Sequence, residues 1–224
     1  MSGKIAIAVA VAVCSLSAQE ETPDHRLRHA SEVFSEIERA PDKAIPDVLL
    51  RRSACIVIIP GMKKGAFIVG GDYGRGFAVC RHHDRWGAPA AVRIGGGSFG
   101  AQIGVESTDV VMLVMNERGM EKLASDKFTI GADASGAAGP VGRTAAADTD
   151  ILMRAEILSW SRTHGLFAGV SLDGTIISKD SAEDKKLYGR EVSNHAIIMG
   201  EVKAPPAAHQ LIAELDRYAP GPKK

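Results

Sequence analysis

The chain is short of the patterns that most directly announce a chemistry. Net charge is absent, since 27 Lys and Arg stand against 27 Asp and Glu. A surface devoted throughout to nucleic acid would carry a clear positive excess, so that class is excluded. Cysteines number three, with no C-x-x-C pair and no Cys/His spacing suited to zinc, which argues against a dithiol redox centre or a zinc site. The apolar run Ile5–Leu16 is 12 residues long, too short to span a bilayer as a helix. No low-complexity linker interrupts the chain after residue 22, and 224 residues with 45% apolar content suit one well-buried domain.

What is present begins at the N-terminus, MSGKIAIAVAVAVCSLSA. Lys4 and the terminal amine precede the apolar run, and Leu16-Ser17-Ala18 ends it with small residues. This is the form of a removable secretory signal over residues 1–18, and it implies an exported protein, periplasmic or envelope-associated after cleavage. Lipid anchoring at Cys14 is the less favoured reading, because Val13 stands where a lipobox has Gly, Ala or Ser. Export leaves Cys55 and Cys80 in a compartment that permits disulfides. Each sits in an apolar, strand-like run, and a bridge and two buried thiols both fit.

Thr22-Pro23-Asp24 supplies a helix N-cap, a proline at the first helical position and an early acid. Leu27, Ala30, Val33, Phe34 and Ile37 follow at helical spacing, and Pro41 closes the segment. A short helix is expected over Pro46–Arg52. From Ala54 the texture is that of strands: CIVIIP, GAFIVGG, RGFAVCR and PAAVRIGGG, with PGMKK, DYG and HHDRWGA read as turns between them. VESTDVVMLVMN and KFTIGAD read as further strands around a brief helix, Glu117–Ala124. GAAGPVG is read as an irregular passage. ILMRAEILSWSRT and GLFAGVSLDGTIIS read as two long strands meeting near His164-Gly165. Helices are expected over Asp180–Tyr188 and Pro206–Tyr218. The expected fold is α+β: a single domain with a large, strongly coiled antiparallel sheet and a few peripheral helices.

Gly95, Gly97 and Gly100 in GGGSFG match the G-x-G-x-x-G spacing of a dinucleotide-binding turn. That turn needs a helix after it, because the helix N-terminus holds the pyrophosphate. Ala101–Val105 alternates like a strand instead, no Lys-Ser or Lys-Thr pair makes a P-loop, and β-α-β alternation is missing. The glycines are better read as a bend or close-packing device in a curled sheet. His82-His83-Asp84 reads as a solvated turn, His25 and His29 lack a third ligand, Asp148-Thr149-Asp150 lacks the calcium-loop pattern, and Ser159, Ser161 and His164 lack a nucleophile-elbow context. No catalytic residue, cofactor or metal is expected, and the chain is expected not to be an enzyme.

Charge is uneven along the chain. Between Arg51 and Arg93, eight basic residues stand against Asp72 and Asp84, a local balance of 8 − 2 = +6.

CIVIIPGMKKGAFIVGGDYGRGFAVCR, RWGAPAAVRIGGGSFGAQIGVESTDVVMLVMN, FTIGADASGAAGPVGR, SWSRTHGLFAGVSLDGTII and KKLYG together resemble the SYLF-domain family. The likeness runs over roughly residues 25–200. It departs at Trp86-Gly87-Ala88-Pro89, where the family often has Trp-Ser-x-Pro, and at Trp160-Ser161, where it often has Tyr-Ser. The resemblance implies a SYLF-like domain over 22–203, followed by a C-terminal helix and tail over 204–224. It also implies a non-enzymatic lipid-binding module. Eukaryotic members bind phosphoinositide-containing membranes, partly through an N-terminal amphipathic helix, and some bind actin. Carried to this sequence, the lipid-binding candidates are Leu27, Val33, Phe34 and Ile37 on the first helix, with Arg51, Arg52, Lys63, Lys64 and Arg75 as the basic contribution. The expected partner is an anionic lipid or membrane surface. The alternative is a periplasmic structural or protein-interaction module whose first helix simply covers the sheet; full burial of Leu27, Phe34 and Ile37 would favour it.

Overall fold

The computed structural model describes residues 21–40, 44–67, 69–98, 104–142 and 154–221. The expected signal over 1–18, Cys14, Gly100 and Asp148–Asp150 lie outside them.

Helix α1 (Pro23–Arg39) starts where expected, with the Thr22 hydroxyl accepting from the His25 N–H at 3.3 Å. After α2 (Asp47–Arg52), strands β1 (Cys55–Phe67), β2 (Val69–His82), β3 (Arg85–Trp86), β4 (Ala90–Ser98) and β5 (Gly104–Val114) follow. Helix α3 (Glu117–Ala124) leads to β6 (Lys127–Thr129), β7 (Gly136–Ala138), β8 (Ile157–Thr163), β9 (Leu166–Gly169) and β10 (Ile176–Lys179). Helices α4 (Ser181–Tyr188), α5 (Asn194–Ile198) and α6 (His209–Tyr218) complete the chain. The main path of the sheet runs β6-β10-β4-β2-β1-β5-β8-β7, with β3 added to β2 and β9 to β8. Described pairings are antiparallel except β7 with β8, so the sheet is mixed but mostly antiparallel, as expected in class.

Four local readings are corrected. PGMKK and DYG are not turns: both lie inside long strands. At Pro60-Gly61 the register of β1 slips by one residue against both neighbours, between Ile59 and Met62 on the β5 side. Proline has no N–H for the ladder, and Gly61 adopts φ +58°, which L side chains seldom take. The freed Gly61 N–H donates to Asp109 Oδ1 at 2.9 Å, so the bulge is held from the next strand. GLFAGVSLDGTIIS is likewise two short strands rather than one. A turn through Gly174 separates β9, which pairs with β8, from β10, which pairs with β4 across the sheet. GAAGPVG begins with β7, and the five-residue α5 was not anticipated.

The sheet curls because its ends are tethered. β6 and β7 close opposite ends of the strand order, yet only Ile130–Ser135 joins them. The Gly131 N–H donates to the Ala134 carbonyl at 2.7 Å, and the Ile157 N–H to the Ser135 carbonyl at 3.0 Å. The inner face therefore draws on strands from both ends: Val57, Ile59, Val92, Ile94, Met112, Phe128, Ile157 and Ile177 pack together, plugged by Leu123 of α3 and Ile197 of α5. The alternate residues Ile56, Ile58, Phe77, Val79, Val111 and Trp160 form the outer face under α1, α2 and α6. Cys55 and Cys80, directly opposed on β1 and β2, are disulfide-bonded on the inner side. Close packing does require glycine at Gly76, where a Cβ would fall on the Ile58 carbonyl.

Candidate functional site

The four aliphatic and aromatic candidates on α1 are core residues. Leu27, Val33, Phe34 and Ile37 are each 3% exposed or less, packed on the outer sheet face. Each such side chain contributes roughly 1.5–3 kcal/mol relative to exposure, so turning them toward another surface first costs that much.

Two ion pairs also fasten α1. Arg26, buried, donates through Nη1 to Glu183 Oε1. Glu183 in turn accepts from Arg75 Nη2 at 3.0 Å, and Arg75 Nε donates to Asp180 Oδ2 at 2.7 Å. Arg75, one of the expected basic residues, is thus committed to the interior of this network. Near the other end of the helix, Glu36 accepts from Arg162 at 2.5 Å, and Arg162 donates to Asp109 at 2.9 Å, the carboxylate that also holds the Gly61 bulge.

Asp180, Glu183 and Asp184 crowd the first turn of α4, all about 1% exposed. Helix N-termini favour anions, and Asp180 caps this one by accepting from the Glu183 N–H at 3.3 Å. Asp184 Oδ1 accepts from the Ala91 N–H at 2.8 Å, while its Oδ2 is buried without a hydrogen-bond partner. Burial, then the neighbouring Asp180 and Glu183, push Asp184 up to about 7 against the pull of that hydrogen bond.

The remaining basic candidates separate. Arg51 and Arg52 end α2, beside the start of β1, with Arg51 3.9 Å from Asp47. Lys64 takes the register position opposite Asp72 and Glu106. Lys63 is exposed, and its Nζ donates to Ser107 Oγ at 3.1 Å.

Lys63 opens a row that the sequence did not reveal. Across the strands, Lys63 pairs with Tyr73, Tyr73 with Gly95, and Gly95 with Ile176. One step along, Arg75, Arg93, Ser178 and Lys127 form the parallel row on the same face. This is the outer sheet face beyond the helices. Tyr73 is 53% and Ile176 44% exposed, large apolar groups flanking a glycine. Arg93 is 47% exposed at the side chain, 3.7 Å from Asp180, and Lys127 is exposed. Together Tyr73, Arg93, Gly95, Gly96, Ile176 and Ser178 line an open cleft of about 420 Å³.

In the sequence Tyr73 is masked because DYG reads as a turn, and Ile176 because GLFAGVSLDGTIIS reads as a single strand. The available signal was the alternation Tyr73, Arg75, Phe77, Val79 along one strand face. Gly95 needs no close-packing account: a Cβ there would meet nothing nearer than the Asp72 carbonyl at 3.7 Å, an ordinary contact. The next described element after Ser98 is strand β5, where a dinucleotide turn would lead into a helix. Among the described residues, no group of three or more His, Cys, Asp or Glu is placed to hold a metal ion.

Comparison with known proteins now decides the family. The family model Ysc84, described as a Las17-binding protein and actin regulator, matches residues 95–218. The chain belongs to the Ysc84 family. Protein YSC84 of Saccharomyces cerevisiae is 35% identical over 182 residues, covering 80% of this chain and 39% of its own length. The human SH3 domain-containing YSC84-like protein 1 is 31% identical over 194 residues, 86% of this chain and 56% of its own. An SH3 domain-containing protein of Schizosaccharomyces pombe is 36% identical over 178 residues, 78% of this chain and 41% of its own. The chain thus spans about half the length or less of these relatives. No solved structure matches it. The Ysc84 match takes in α4 with its carboxylates and α6, which packs beside α1; of the cleft it includes Gly95, Gly96, Ile176 and Ser178, while Tyr73 and Arg93 precede it.

Proposed function

We propose that this Ysc84-family chain is a non-enzymatic binding module that attaches to an anionic lipid surface in an exported setting. One observation carries the reading. The outer sheet face places exposed Lys63, Arg93 and Lys127 around exposed Tyr73 and Ile176, on five consecutive strands of the sheet, β1, β2, β4, β10 and β6. Cations beside amphipathic and apolar groups suit a surface that is negative outside and apolar beneath. The apolar residues of α1 stay in the core in this mode, so the sheet face takes the role first expected of the helix. The signal-like segment and the Cys55–Cys80 bond support export.

Sedimentation with vesicles tests it. The protein is expected to pellet with vesicles rich in anionic lipid and not with neutral ones, less so as salt rises; absence from both pellets sinks the reading. A second reading, docking on a protein, is favoured by the full burial of Leu27, Phe34 and Ile37 and by the family's description as actin regulators. Co-sedimentation with filamentous actin in place of vesicles would select it.

A further inference from the structure

We infer that the cleft over Gly95 is a discrete site for the hydrocarbon chain of one anionic amphiphile, with Arg93 at its head end. This rests on the anionic-lipid reading and deepens it from a surface to a stoichiometric site.

The cleft is built by the register of three strands. Tyr73 on β2 and Ile176 on β10 face Gly95 of β4 from either side, one strand away each. Neighbouring strands lie about 4.8 Å apart, so the two side chains stand as walls about 10 Å apart with bare backbone between them. Along the floor, Arg93 and Gly95 take successive outer-facing positions of β4, with the Gly96 backbone continuing beyond them. From Arg93 to Gly96 a strand advances about 10 Å. A trough with apolar walls, a backbone floor and a cation at one end fits an extended alkyl chain carrying an anionic head.

Two features select this occupant. Glycine is not imposed by packing at Gly95: its φ lies outside the left-handed region and a Cβ would have ordinary clearance. A side chain is therefore tolerated by the fold yet would fill the trough. The lining charge is also cationic. Arg93 lines the cleft, 3.7 Å from an Asp180 oxygen that Arg75 already holds at 2.7 Å, Lys63 and Lys127 flank it in the two rows, and no carboxylate is among its lining residues. The volume, about 420 Å³, lies within the usual range for small-ligand sites.

Isothermal titration calorimetry of the full chain with dodecyl phosphate, kept below its micellisation concentration, tests the site. Saturable binding of one molecule per chain is expected. Dodecyl maltoside, with the chain but no charge, and inorganic phosphate, with the charge but no chain, should bind more weakly. Gly95→Val should weaken dodecyl phosphate binding about tenfold or more, the effect of excluding two or so methylenes from contact, without lowering the unfolding midpoint. Ile176→Ser, an exposed position, should do the same and covers any misfolding of the first variant. Dodecyl phosphate binding that is absent in the native chain, or equal in the native chain and both variants, overturns the site. Vesicle sedimentation of the same proteins separates the two ideas. Native protein that pellets with anionic vesicles but shows no variant effect in calorimetry refutes the cleft and leaves the surface reading standing. Native protein that pellets with none refutes the surface reading, and calorimetry then decides the cleft alone.

Discussion

Asp184 is a buried carboxylate with one oxygen partnered and the other bare, beside two further acids. Its folded value of about 7 lies above the ordinary 3.8. Between those two values the folded chain holds a proton that the unfolded chain has released. Stability from this group is therefore present at acid pH and is lost as pH rises through about 7. Asp184→Asn keeps an acceptor for the Ala91 N–H and carries no charge. Urea unfolding from pH 4 to 8 should show the native chain losing a few kcal/mol relative to this variant; parallel pH profiles would refute the assignment. Gly76→Ala, which drives a Cβ into the Ile58 carbonyl, should cost about 3 kcal/mol or more in the same assay. Neither effect was legible in the sequence. SAEDKKLY reads as a solvated helix surface, and only the sheet packed against it makes three of its neighbouring acids interior. Gly76 looks like any glycine of a β segment until the bulged strand beside it is placed.

Among the elements, α1 was the most legible, because a helix start is local: Thr22, Pro23 and the 3.6-residue spacing of Leu27 to Ile37 suffice. What that face touches was not legible, since an amphipathic helix covers a sheet or a bilayer with the same residues. The strands were found where apolar residues alternate, but their ends were misread at Pro60-Gly61 and at Asp72-Tyr73-Gly74. Glycine and proline signal a turn and a bulge alike, and only pairing on both sides distinguishes them. The clasp on α1 is likewise long-range, joining Arg26 to Glu183 and Glu36 to Arg162. Breaking a buried pair by removing one partner typically costs about 3–5 kcal/mol. Arg26→Ala should therefore lower stability on that scale and raise hydrogen exchange in α1 above that of the sheet. Glu36→Ala, whose carboxylate is well exposed, should change stability by less than about 1 kcal/mol. Equal effects of the two would show that burial does not set the strength of the clasp.

For the whole molecule, zero net charge conceals a locally basic segment. The +6 segment Arg51–Arg93 was visible by counting, and its division was not. Curling and register send Arg75 inward to Asp180 and Glu183, leave Arg51 and Arg52 at α2, and bring Lys63 beside Tyr73 on the open face. The chain thus presents one apolar-cationic surface while keeping its amphipathic helix folded down. Charge reversal at Lys63 and Arg93 together should weaken anionic-vesicle binding about tenfold or more, at roughly 1 kcal/mol per cation near an anionic surface, and flatten its salt dependence. Reversal at Arg51 and Arg52 should change it little. The most direct test puts a reporter on the face itself. Trp86 and Trp160 are buried at 6% and 0% exposure, so they leave a quiet background for Tyr73→Trp. With anionic vesicles whose acyl chains carry bromine, the account predicts quenching of the tryptophan introduced at position 73, and none with neutral vesicles. Vesicle binding without that quenching would contradict it.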